Sequence, residues 1–342
     1  MYIDDLPTPA LIIEAGALEH NLDAMAGLFP GQRLRPHVKA HKCSSLAKVQ
    51  LRYGHSGFTC ATPREISGLA RAGVEADFLL ANESLDPARL GAIAGTNATV
   101  AVDSDETLQI AARAGIRNVV IDVFVGLPRC GVEPDDAARL ADLARSLKMN
   151  VRGVMGYEGH LMMVTDVADK KAQVAAAMET LHAVAAKVGG DIISAGGTGT
   201  FREHLDSGIT ELQAGSYALM DTQYATLGLP FKQAVHIVGT VISRSAGWAV
   251  ADVGLKALGM DHGNPEVDGY DVWFCSDEHV TFAVKRDAAN LPVPAPTVLP
   301  RVGERVLVTP AHIDPTMSQH ERAYVHREGL VVDEWAIDLR GW

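Results

Sequence analysis

Over its first two thirds the chain alternates short apolar runs with longer amphipathic stretches, and no other feature restricts its fold so strongly. Strand-like runs fall at Leu34–Val38, Gly57–Cys60, Asp77–Leu80, Thr99–Val102, Val119–Phe124, Val151–Met155, Asp191–Ser194 and Leu212–Ala214. Between them lie Ala- and Leu-rich stretches such as Pro63–Ala72, Pro134–Leu147 and Val167–Val188. The last carries Ala, Val, Met and Leu at helical spacing, which predicts a helix with one buried stripe. Strands alternating with helices imply βαβ units and a parallel sheet. Eight such units over roughly 200–250 residues match the arithmetic of a (β/α)8 barrel. A doubly wound open sheet is the rival arrangement.

After about Phe231 the texture changes to consecutive β-rich runs: Ile237–Ile242, Trp248–Val253, Val272–Phe274, His279–Val284, Arg305–Thr309 and Ala323–His326. The Pro-rich stretch Leu291–Pro300 reads as a loop. The expected division is a barrel over residues 8–233 and a β-rich domain from residues 1–7 and 234–342. At 342 residues and 47% hydrophobic, the chain can bury a core. A net charge of -12, from 30 basic and 42 acidic residues, repels phosphate backbones and anionic membranes. The four cysteines are scattered and form no C-x-x-C pair. A disulfide scaffold is therefore not expected and a reducing cytoplasm is. No basic leader and no apolar run of membrane-spanning length is visible.

In a barrel the reactive groups lie just beyond the C-terminal ends of the strands. Those positions hold Arg35-Pro36-His37-Val38-Lys39-Ala40-His41-Lys42, Gly126-Leu127-Pro128-Arg129-Cys130-Gly131, Tyr157-Glu158-Gly159-His160, Gly196-Gly197-Thr198-Gly199-Thr200 and Gly215-Ser216-Tyr217. Lys39 sits among His37, His41 and Lys42. Neighbouring positive charge and partial burial lower a lysine pKa and make its amine nucleophilic toward an aldehyde. The bland alternative is a solvated lysine. The two Gly/Thr/Ser loops suit a single phosphate held by backbone N–H groups, the alternative being simple turns. A lysine nucleophile, a phosphate cradle and an aromatic ring together suggest pyridoxal phosphate.

These residues resemble the D-threonine aldolase / D-serine dehydratase family of pyridoxal phosphate enzymes with the alanine racemase-type fold. R-P-H-V-K-A-H-K, G-G-T-G-T, E-L-Q-A-G-S-Y with Met220-Asp221, D-V-G-L-K-A-L from Asp252 and Ser276-Asp277-Glu278-His279 resemble family segments in family order. The resemblance extends over nearly the whole chain. It implies fold-type III, a (β/α)8 barrel followed by a mostly β domain, and a homodimer. Lys39 would be the Schiff-base lysine, Arg129 would face the ring's phenolate oxygen, and Tyr157 would stack on the ring. Thr198, Gly215, Ser216 and Tyr217 would hold the phosphate. Gln213 falls where racemases place an arginine beside the pyridine nitrogen, so a neutral partner there would weaken the electron sink.

The segment Thr309-Pro310-Ala311-His312-Ile313-Asp314-Pro315-Thr316 adds a metal. In a strand or extended loop, positions i and i+2 point the same way, so His312 and Asp314 would grip one cation together. Dehydratase members of the family resemble H-x-C and aldolase members H-x-D-P-T, which this chain carries. Nitrogen with oxygen suits Mn²⁺, Mg²⁺, Co²⁺ or Zn²⁺. The resemblance implies cleavage of a β-hydroxy-D-amino acid such as D-threonine to glycine and an aldehyde. His160 would be the base, with an ordinary imidazole pKa near ~6.5. Typical aldolases place that histidine six positions after the tyrosine, whereas here it comes three after. Glu158 or a metal-bound hydroxide is therefore the alternative base. Ala61 stands where a glutamine is expected. The rival activities are dehydration to a 2-oxo acid and ammonia, racemisation without metal, and a cofactor-carrier role.

Overall fold

The computed structural model describes residues 1–286 and 298–342, so residues 291–297 of the expected loop lie outside the described residues. The strands in chain order are β1 (Ala10–Glu14), β2 (Gly57–Cys60), β3 (Asp77–Leu80), β4 (Thr99–Val102), β5 (Asn118–Asp122), β6 (Asn150–Gly156), β7 (Ile192–Ala195) and β8 (Glu211–Leu212). There follow β9 (Val235–Arg244), β10 (Ala249–Ala251), β11 (Glu266–Val267), β12 (Tyr270–Cys275), β13 (Val280–Val284), β14 (Arg305–Thr309), β15 (Arg322–Arg327) and β16 (Leu330–Ala336). The chain divides into two compact units. One comprises Asp23–Gly215 with Asp338–Trp342, the other Met1–Leu22 with Ser216–Ile337. The boundary expected at residue 8 falls instead after Leu22, because β1 pairs antiparallel with β9 and parallel with β15.

In the first unit β2 to β8 run parallel in sequence order. One residue from each of β3 to β7 (Leu79, Ala101, Val120, Met155 and Ile192) forms a buried layer of the sheet, as a barrel interior requires. The run Leu34–Val38, expected as the first strand, is not a regular strand. It is an extended segment with single bridges, Leu34 to Leu212 and His37 to Thr59. The cause is Pro36, which lacks an N–H for the ladder. Its carbonyl still accepts from Thr59 N–H at 2.9 Å, while Arg35 and His37 donate to Leu212 and Ala214 at 2.9 Å each. The segment thus closes the seven-stranded sheet between β8 and β2. At the strand starts Arg35, 6% exposed, grips Glu211 at 2.7 Å and Asp77 at 3.0 Å, and Arg152 reaches Asp77 at 2.8 Å.

The helix Val167–Val188 has the predicted bounds. Asp166 caps it by accepting from Asp169 N–H, and Gly189, at φ +72°, ends it. Its stripe buries Val174, Ala177, Met178, Leu181, Val184 and Val188, and also Lys170. After Lys39 the helix Ser44–Arg52 begins, and Asp338 accepts from the Ser44 N–H at 2.9 Å and hydroxyl at 2.6 Å. That cap ties the C-terminal residues to the barrel unit.

In the second unit β9, β10, β13, β12, β11 and β14 close on themselves through a β10–β9 pairing, and β1, β15 and β16 extend the sheet. Leu6, Ala10, Ile12 and Val238 form a buried core there. No helix among the described residues is long and apolar enough to cross a membrane.

Candidate active site

In the barrel unit, Lys39 lies in a single helical turn, Val38–Ala40, directly beyond the bridging segment. Val38 and Ala40 are buried and Lys39 projects outward, exposed. Burial, then the charges of Lys39, Lys42 and His41, hold the His37 imidazole well below its ordinary pKa and favour its neutral form. The Lys42 ammonium is hydrogen-bonded to buried Glu65, so part of the positive field expected around Lys39 is compensated. Gly215 packs against this turn. A Cβ there would lie 2.7 Å from the His37 carbonyl oxygen and 3.0 Å from the Ala40 Cβ. Only glycine lets β8's exit approach so closely.

Tyr157 and Arg129 come together, the guanidinium carbon lying 5.0 Å from the ring centroid. The Tyr157 ring presses on Gly159, where a Cβ would stand 2.3 Å from Cε1. On its other side a Cβ at Gly197 would be 3.7 Å from Cε2. His160 is exposed and lies against Gly126, which has φ +121° and whose Cβ would be 2.9 Å from the His160 Cε1. Thr198 is 2% exposed. The Gln213 amide donates to the Ser194 hydroxyl at 2.8 Å, which orients it on the strand next to the loop. Ser216 and Tyr217 belong to the other unit, in the turn Ser216–Ala218, where the Tyr217 ring packs in the core 5.8 Å from Phe231.

Glu158, the alternative base, is fully buried and turned away into the loop. Its carboxylate accepts from the Thr200 hydroxyl at 2.7 Å, His204 Nε2 at 2.8 Å and the Gly196 N–H at 3.2 Å. Burial raises its pKa, but the hydrogen bond and charge of His204, with Thr200, outweigh this and hold it below the ordinary carboxylate value. A second acidic group lies beneath Arg129. Donor atoms of Glu83, Asp103 and Cys130 are within 4.8 Å of one another. Burial and then Glu83 push the Cys130 thiol up to about 12 and raise the Asp122 carboxyl well above its usual range, while Arg129's charge opposes both.

These residues fit pyridoxal phosphate. A lysine, an aromatic ring, an arginine and a Gly/Thr loop follow strands of one parallel sheet, and glycines at 197, 199 and 215 let the loops pack closely there.

The cation pair lies in the β unit. His312 and Asp314 are not on a strand. His312, extended at φ -143° and ψ 119°, is the N-cap of the helix Ile313–Gln319, and Asp314 is in its first turn. Pro315 suits a first turn, which needs no N–H, and Asp314's charge suits the helix start. The His312 Nδ1 bonds Asp261 Oδ2 at 2.7 Å. A carboxylate only accepts, so Nδ1 is the donor in this contact and Nε2 is the nitrogen left to face a cation. Nε2 lies 3.7 Å from Asp314 Oδ2. One cation could take both atoms as ligands across that gap. The donor set therefore fits a divalent cation.

His262 stacks on His312 at 3.9 Å and 12°. Ligand atoms of Asp261, His262 and His312 all lie within 4.8 Å of one another, so His262 stands beside the same donor group. Asp221, behind the pair, accepts from the Ile313 N–H at 3.2 Å, and burial pushes its carboxyl up to about 6. Asp261 and His262 are absent from the sequence-derived set. Their signal was Gly259: a Cβ there would be 2.2 Å from the Pro315 Cγ, and its N–H donates to the Thr316 hydroxyl at 2.8 Å. That close approach brings Asp261 to His312.

Residues 13–223 match the family described as alanine racemase, N-terminal domain, and residues 234–326 match the putative serine dehydratase domain. The chain is 33% identical to a D-threonine aldolase of Arthrobacter sp, over 98% of this chain and 93% of that protein. It is also 33% identical, over the same shares, to a 3-hydroxy-D-aspartate aldolase of Paracoccus denitrificans. Among solved structures it resembles D-threonine aldolase from Filomicrobium marinum, with a TM-score of 0.91 and 33% identity over 99% of this chain and 97% of that one. It also resembles D-threo-3-hydroxyaspartate dehydratase from Delftia sp. HT23, with a TM-score of 0.82 and 26% identity over 100% of each.

Proposed function

The chain belongs to the family that joins an alanine racemase-type N-terminal domain to a serine dehydratase-type domain, and from that premise we propose that it is a lyase dependent on pyridoxal phosphate and a divalent metal, cleaving a β-hydroxy-D-amino acid to glycine and an aldehyde. The observation that carries the choice of reaction is the donor set at the N-cap turn. Asp261 fixes His312 with Nε2 available, and the second ligand is the Asp314 carboxylate, where dehydratase members carry a thiolate.

Lys39 would hold the cofactor through its amine, Tyr157 and Arg129 would orient the ring, and Thr198, Gly215, Ser216 and Tyr217 would hold its phosphate. When bound, the cofactor supplies an electron sink for the α-carbon. Gln213, a neutral amide tied to Ser194, leaves that sink without a cationic partner. A cation on His312 and Asp314 would act as a Lewis acid toward the β-hydroxyl. His160, exposed on its turn, takes the hydroxyl proton on an imidazole nitrogen, since Glu158 is committed to the loop. Mn²⁺, Mg²⁺, Co²⁺ and Zn²⁺ all suit the nitrogen–oxygen set. A homodimer belongs to the same reading. The Trp248–Trp273 ring pair at 6.0 Å is an exposed aromatic surface that a second subunit would cover. Four free cysteines support a cytoplasmic setting.

The test is a product assay on purified protein with pyridoxal phosphate and Mn²⁺. D-threonine, D-3-hydroxyaspartate and D-serine are offered separately, with L-forms as controls. Glycine and an aldehyde from D-forms, abolished by EDTA, are the expected result. A 2-oxo acid with ammonia would instead make the enzyme a dehydratase that uses aspartate as its second metal ligand.

A further inference from the structure

Lys170 breaks the rule of its own helix. It stands one turn before Val174 on the stripe that continues through Ala177, Met178 and Leu181, where only apolar groups are expected, and it is 7% exposed. A buried ammonium is costly unless something compensates it. Its partners are two carbonyl oxygens rather than a carboxylate: Gly199 at 2.9 Å and Met162 at 3.2 Å. Burial pulls its pKa below the ordinary lysine value, with Glu203 opposing from a distance and Arg202 adding to the fall.

The two carbonyls belong to the two segments that meet at the barrel rim. Met162 ends the turn that carries Tyr157 and His160, and Gly199 is at the tip of the Gly196–Thr200 loop. The segments are in contact, since a Cβ at Gly199 would lie 2.3 Å from the Met162 carbonyl oxygen. Several other groups of the loop are held from within and from Glu158. Gly196 N–H donates to Glu158, Gly197 N–H to the Thr200 hydroxyl at 3.3 Å, and Thr200 N–H to the Gly197 carbonyl at 3.3 Å. Glu158 thus holds the base of the loop, and Lys170 holds its tip.

Resting on the cofactor reading above, we propose that Lys170 is a positioning residue for a dianionic phosphate: its ammonium clamps the Thr198–Gly199 tip against the Tyr157–Met162 turn and places a positive charge behind the tip. The ammonium explains why a lysine stands on an apolar stripe. Among the described residues its hydrogen-bond partners are carbonyls and not a carboxylate, so its charge still acts on a phosphate held by the loop.

The experiment separates charge from shape by comparing pyridoxal phosphate with pyridoxal, which has the same ring and aldehyde and no phosphate. Cofactor-resolved wild-type protein, Lys170→Met and Lys170→Gln are titrated with each compound, followed by absorbance of the lysine-bound cofactor. Lys170→Gln retains a donor for the two carbonyls, so it decides the question if Lys170→Met fails to fold. Pyridoxal phosphate affinity should fall about tenfold or more in both variants, the scale of a lost charge contact in a low-dielectric site, while pyridoxal affinity stays within about twofold of wild type. Lys170→Arg should recover most of the loss. Equal weakening toward both compounds, or none toward either, would overturn the assignment. A wild-type protein that takes up neither compound would overturn the cofactor reading itself.

Discussion

Replacing Asp261 with alanine removes the carboxylate hydrogen-bonded to the His312 Nδ1, a contact of 2.7 Å. Without it the imidazole is free to rotate and to move its proton to Nε2, which blocks the lone pair a metal would use. Losing such an outer partner lowers metal affinity by about 10–100-fold. Asp261 is 55% exposed at its side chain, so water replaces part of what it provides and the lower end applies. We expect Asp261→Ala to weaken Mn²⁺ binding about tenfold, or ~1.4 kcal/mol. Asp261→Asn keeps an oxygen that accepts from Nδ1–H and should cost roughly threefold or less. The measurement is Mn²⁺ titration by electron paramagnetic resonance, with thermal unfolding as a control for the fold. Metal affinity of Asp261→Ala within about twofold of wild type would refute the reasoning, as would equal losses in both variants.

Other substitutions test the barrel. Gly215→Ala places a Cβ 2.7 Å from the His37 carbonyl and should cost about 1–3 kcal/mol. It should lower the midpoint of thermal unfolding by roughly 2–4 °C per kcal/mol and weaken cofactor uptake, and an unchanged melting curve would contradict the packing described. Arg35→Met leaves Glu211, 7% exposed, without its cation and should destabilise by about 3–5 kcal/mol in urea unfolding. Glu158 is held below its ordinary value of 4.5, so its folded pKa lies below its unfolded one. It contributes stability that is present above pH ~4.5 and is lost as pH falls toward the folded value. Glu158→Gln should flatten that acid limb in unfolding curves measured from pH 3 to 7, and an unchanged limb would place the acid sensitivity elsewhere.

The parts legible in the sequence are those governed by local pattern. The helix Val167–Val188 and the strand Arg305–Thr309 have the bounds that periodicity assigns them, because their apolar stripes and end residues are complete within the element. Leu34–Val38 reads as a strand by hydrophobicity, yet Pro36 reduces it to bridges. His312 and Asp314 are visible as a pair, but Pro315 places them at a helix start instead of along a strand. Glu158 sits inside a motif of exposed reactive groups, and only its distant partners, Thr200 and His204, show that it faces inward. Asp261 is 51 positions from His312 and meets it through the close approach at Gly259, which no local rule encodes.

The seam beside Lys39 bears on how the molecule assembles. β2 to β7 each pair with the strand that follows directly in the chain, so most of the sheet can grow by short closures. The Arg35–Leu212 and His37–Ala214 hydrogen bonds join segments about 177 residues apart, the longest closure within the parallel sheet. Lys39 follows that segment immediately. The lysine proposed to hold the cofactor therefore reaches its final place only when the last strand has arrived, and a chain arrested before β8 has that lysine without its surroundings. Uptake of a lysine-bound chromophore would then report completed barrel closure, and in refolding it should lag behind the recovery of helical circular dichroism.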